Sequence, residues 1–97
     1  MKGIGEICAF MRLAKEDPRI GPAHISLYMA ILQTWVEQGR GEVVLIKAGI
    51  VMKPAKIGGL GLYHRTIRQL NAYGYFRYEP SYNPKIPSRV ILFLEED

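Results

Sequence analysis

Between Lys53 and Tyr78 the chain reads KPAKIGGLGLYHRTIRQLNAYGYFRY, and in it Gly61, Arg65, Arg68 and Ala72 recur every three or four residues, flanked by His64 and Gln69. On a 3.6-residue wheel this spacing gathers two guanidiniums and two small residues into about one quadrant. Guanidinium forks and side-chain amides are the groups that pair with guanine and adenine edges in a DNA major groove. On the opposite side Tyr63, Ile67 and Leu70 fall at i, i+4 and i+7, with Thr66 and Tyr73 at the margin, a set fit for burial. A helix with those two faces is read as a recognition helix.

Other chemistry finds little support in the residues. No Ser, Cys or Lys stands near a plausible base, and Glu95, Glu96 and Asp97 form a frayed acidic tail rather than a catalytic dyad, so no enzyme is expected. His24 and His64 lie 40 residues apart with no third ligand beside either, and no metal or cofactor is expected. The single cysteine, Cys8, has no internal partner and is read as a buried apolar thiol. Gly59, Gly61 and His64 break the spacing of a dinucleotide-binding loop, and no βαβ unit surrounds them; they read as a tight turn.

Charge is unevenly divided. Residues 1–46 hold five basic and five acidic residues, whereas 47–89 hold eight basic residues against Glu79 alone. That half carries +7, and the tail returns the total to +4. A basic half around the candidate helix is the footprint of a nucleic-acid binder. Arg65 and Arg68 can also be read as a solvated face, but no Asp or Glu lies between Lys47 and Arg77 to pair with them on the helix. With 97 residues, 48% apolar and 23% charged, the chain fits one globular domain spanning 1–97. No apolar run approaches the roughly 20 residues of a membrane span and the start lacks a signal-peptide core, so a cytoplasmic location is expected.

The elements that would position the basic face follow from periodicity and punctuation. Ile7, Cys8, Met11 and Ala14 make an amphipathic first helix, with Phe10 alongside, stopped by Asp17 and Pro18. Pro22 opens a second helix whose wide stripe, Ile25 to Val36 with Trp35, marks it as the most buried; Gly39 and Gly41 end it. Glu42–Ile46 suits a brief strand. A short helix from Lys47 to Met52 is bounded by Pro54, and a turn over 55–59 leads to the basic helix. The turn lacks the usual Ser, Thr or Asp cap, so that helix either starts near Leu62 or has a soft first turn until a phosphate meets its N–H groups. Tyr75–Tyr78 and Arg89–Leu94 are strand-prone, joined by the loop PSYNPKIPS.

This order of elements resembles the winged helix-turn-helix domains over nearly the whole chain, with the helix-turn-helix pair between about Lys47 and Tyr73 and the last two strands as the wing. The phrases DPRIGPAHISLYMAIL, KIGGLGLYHRTIRQL and GYFRYEPSYNP are similar to those of small winged-helix proteins of bacterial mobile elements. The expected class is therefore α+β, mainly α, with about four helices, a short strand and a C-terminal hairpin. The resemblance implies double-stranded DNA binding, as a transcriptional regulator or as a replication-initiation or maintenance factor of a mobile element. A protein-interaction module on the same fold is the reading from another class. The expected contacts are Arg65, Arg68 and Gln69 to bases, Lys53, Lys56 and His64 to phosphates, and Tyr82, Lys85 and Arg89 from the wing. A homodimer is expected for a palindromic target, through the first helix or the strand Val90–Leu94.

Overall fold

Glycine and proline mark where the elements begin and end. The computed structural model describes residues 4–93, which form an α+β, mainly helical fold of four helices and a three-stranded antiparallel sheet. Helix α1 (Ile4–Ala14) stops before Asp17 and Pro18, and α2 (Pro22–Glu37) starts on a proline whose missing N–H would be unpaired there anyway. Strand β1 (Val43–Ile46), helix α3 (Ala48–Ala55), helix α4 (Leu60–Ala72) and strands β2 (Phe76–Glu79) and β3 (Ser88–Leu92) follow.

Helices α2, α3 and α4 close in the same way. The N–H of Arg40, Ile57 and Tyr75 returns to the carbonyl of Trp35, Met52 and Leu70 respectively, across a left-handed residue. That residue is Gly39 after α2, Gly74 after α4, and Lys56, with φ of 60°, after α3. Glycine takes this conformation freely, whereas a side chain there costs roughly 1–2 kcal/mol. Pro54 does not bound α3 as its sequence suggests but lies within its last turn. Only the bond to the Ile50 carbonyl is forfeited there, and the closure through Lys56 and Ile57 secures the end.

Strand order is β1-β3-β2, with Val44 opposite Val90 and Phe76 opposite Leu92. Alternation turns Val44, Ile46, Phe76, Val90 and Leu92 inward, onto Leu27, Ile31 and Trp35 of α2, Val51 of α3 and Ile67 and Leu70 of α4. Both outer edges are covered by side-chain amides. The Gln38 amide exchanges two hydrogen bonds with Leu45, at 2.7 and 2.9 Å, as a neighbouring strand would, and Asn71 Oδ1 accepts the Tyr78 N–H at 2.8 Å. Strand β3 is central, with both edges already paired, so it leaves no free edge for a partner strand; Leu94 and the acidic tail lie outside the described residues.

Helix α1 is turned about its axis from its expected setting. Phe10 and Ala14 face the core, where Phe10 stacks on Tyr28 at 3.9 Å and meets Tyr75 edge-on at 5.4 Å. Cys8 is exposed rather than buried, and Ile7 and Met11 are each 39% exposed. Seating one aromatic ring buries more area than the smaller stripe would, and it sets the rotation.

Candidate nucleic-acid interface

Helix α4 begins at Leu60, two residues before the late start near Leu62 that the missing cap allowed. Its N-cap, Gly59, is extended and brings no side chain to the first turn, and the ladder starts with Tyr63 N–H to the Gly59 carbonyl at 3.1 Å. A Cβ added at Gly58, Gly59 or Gly61 would meet nothing within 4 Å, and none of the three has positive φ. The fold itself does not demand these glycines. What they provide is a bare backbone that another molecule can approach closely.

Tyr63, Thr66, Ile67 and Leu70 are buried, Thr66 more deeply than the margin position expected of it. Gly61, Arg65, Arg68 and Ala72 are all exposed, as the wheel predicts. Among the described residues neither Arg65 nor Arg68 has an ion-pair partner. Lys53, in the last turn of α3, and Lys56, in the turn before α4, are exposed and likewise without an acidic partner among those residues. Two helix segments thus bring four free cations to either side of the glycine turn.

Gln69 is engaged within the fold. His24, third residue of α2, accepts the Gly21 N–H on Nδ1 at 3.0 Å, which leaves the ring proton on Nε2 to be donated to Gln69 Oε1 at 2.8 Å. Two-point pairing with an adenine would require that bond to open; the Gln69 amide nitrogen alone is left to donate outward. His24 therefore has a structural part, tying the start of α2 to α4. His64 is half-buried and lies edge-on to Tyr63 at 5.2 Å.

A second tie, which the sequence reading missed, joins the α1–α2 connector to the end of α4. Asp17 accepts from Arg19 Nε and Nη2, both at 2.9 Å, and from the Tyr75 hydroxyl at 2.8 Å. The Arg19 guanidinium lies 4.1 Å from the centre of the Tyr73 ring. Hydrogen bonding by Arg19 holds the Asp17 carboxyl far below the usual range, and burial, with the bond to Asp17, pushes the Tyr75 phenol up to about 12. An acid and an arginine two residues apart around a proline were the available signal; their aromatic partners come from distant sequence.

The β2–β3 loop presents Tyr82, 87% exposed, and Lys85, whose N–H is held by Asn83 Oδ1 at 2.9 Å while its side chain stands in solvent. Arg89 is less free than expected. It shares Glu79 with Arg77, at 3.5 and 2.8 Å, on the outer face of the sheet. Only part of its charge is available to a polyanion. Among the described residues, no three His, Cys, Asp or Glu side chains come together, and no helix is long and apolar enough to cross a membrane. Compared with known protein families, curated proteins and solved structures, the chain finds no match.

Proposed function

We propose that this chain is a winged helix-turn-helix domain that binds double-stranded DNA, with α3 and α4 as the helix-turn-helix pair, α4 in the major groove and the β2–β3 hairpin as the wing. The observation that carries the reading is the outward face of α4: two exposed arginines with no acidic partner among the described residues, beside a glycine turn and two free lysines. Unpaired positive charge on one rigid helix favours phosphate and guanine contacts. Arg65 and Arg68 read bases, Lys53, Lys56 and His64 hold the backbone, and Tyr82 and Lys85 contact the flanking groove. Arg89 assists only where Glu79 releases it. The role that fits best is transcriptional regulation in the cytoplasm, with replication or maintenance of a mobile element second.

One observation favours a protein partner instead. Leu60 and Leu62, in the first turn of α4 after the glycine turn, and Ile50, in the first turn of α3, are exposed and could meet an apolar, acid-rimmed surface. Selection from a pool of random duplexes separates the two. DNA binding enriches a common site, and footprinting then shows protection over about one helical turn. A pool that stays unenriched, with no retention at low salt, rejects DNA as the partner.

A further inference from the structure

A cleft of about 210 Å³ separates the β2–β3 loop from the starts of α3 and α4, and its chemistry is not that of the exposed arginine face. Lys47, Ala48, Tyr63, His64, Ser81 and Ser88 are among the residues that line it. No Asp or Glu reaches it. Lys47 is the N-cap of α3, without a side-chain cap, and the N–H groups of Ile50 and Val51 both return to its carbonyl. Those of Ala48 and Gly49 are the leading ends of the helix, where the peptide dipoles favour an anion.

The second observation is Tyr63. Its side chain is 2% exposed, yet its hydroxyl makes no hydrogen bond among the described residues. No fully buried side-chain oxygen or nitrogen lacks a partner among those residues, so the small exposed part of Tyr63 includes the hydroxyl, at the cleft it lines. A hydroxyl without a protein partner that is accessible only where its residue borders a cleft is open to an acceptor there. Burial raises the phenol's pKa, so the group stays an O–H that can donate. Ser88 Oγ accepts the Ser81 N–H at 3.0 Å, which leaves its own proton for a further acceptor. Donor-bearing residues of three elements border a space smaller than the roughly 300–1,000 Å³ of a small-molecule site.

We infer that this cleft is a phosphate pocket, in which the Tyr63 hydroxyl, the α3 N-terminus, Lys47 and Ser88 hold one phosphate group. The phosphate can belong to a DNA backbone, in which case the inference rests on the DNA-binding reading, or to a soluble phosphorylated compound.

The test uses inorganic phosphate without DNA, followed by amide NMR, against sodium chloride at matched ionic strength. Saturable shifts at Ala48, Gly49 and Ser88 that chloride does not reproduce, weakened about tenfold or more in Tyr63→Phe, are expected, the size being that of one hydrogen bond to a charged group. Lys47→Gln, on the surface, gives a second weakened variant should Tyr63→Phe disturb the fold. Shifts that chloride matches, or that both variants leave unchanged, overturn the pocket. Adding a duplex then assigns the source: displacement of phosphate from those amides points to a DNA backbone, and simultaneous binding to a soluble compound. Loss of DNA binding with intact phosphate shifts rejects the DNA reading and leaves the pocket standing.

Discussion

Arg65 and Arg68 carry the central expectation because nothing acidic among the described residues holds them. Replacing either with alanine should weaken duplex binding roughly tenfold, within the 1–3 kcal/mol of a guanidinium–guanine pair, and leave the melting temperature unchanged because both are exposed. Lys56 separates stability from binding. Its left-handed backbone suits glycine, so Lys56→Gly should release about 1 kcal/mol of strain and raise Tm by several degrees. The same change should lower the salt dependence of DNA binding by about one contact. Asp17 sets an acid limit. Its folded pKa lies below the unfolded one, so its contribution is full above about pH 4 and is lost as pH falls toward the lower, folded value. Asp17→Asn should flatten the fall in Tm across that acid range while lowering Tm at neutral pH.

Among the elements, α4 was the most legible in the sequence, since its two faces repeat at helical spacing and the structure leaves each residue of both faces close to where the wheel put it. The glycine ends of α2 and the break at Pro18 were legible for the same local reason. Local pattern did not reach the rotation of α1, which is decided by one aromatic ring finding Tyr28 and Tyr75, or the central place of β3. Both depend on residues far away in sequence. Nor did it reveal that Gln69 is tied to His24, or that Glu79 holds Arg77 and Arg89 together. The covered sheet edges lead to a test at this scale. Asn71→Ala removes the partner of the Tyr78 N–H, and should cost about 1 kcal/mol in thermal unfolding. It should also make sedimentation concentration-dependent, as the outer edge of β2 opens.

For the whole molecule, shape and charge point the same way. The chain measures 36 × 30 × 21 Å, so its longest dimension matches about one helical turn of DNA, of roughly 34–36 Å. On the DNA-binding proposal, one copy would cover a single site or half-site. Most of its free cations, Arg65, Arg68, Lys53, Lys56 and Lys85, lie in the half that is basic in sequence. About five phosphate or groove contacts imply a slope of log affinity against log salt of roughly −4 to −5. The most direct test is a fluorescence-anisotropy titration of labelled random duplex DNA at several salt concentrations, with the native chain and with Arg65→Ala plus Arg68→Ala. Binding that falls with that slope, and collapses in the double variant while its fold persists, is the expected result. No binding at low salt, or equal binding by the double variant, would contradict a DNA-reading α4.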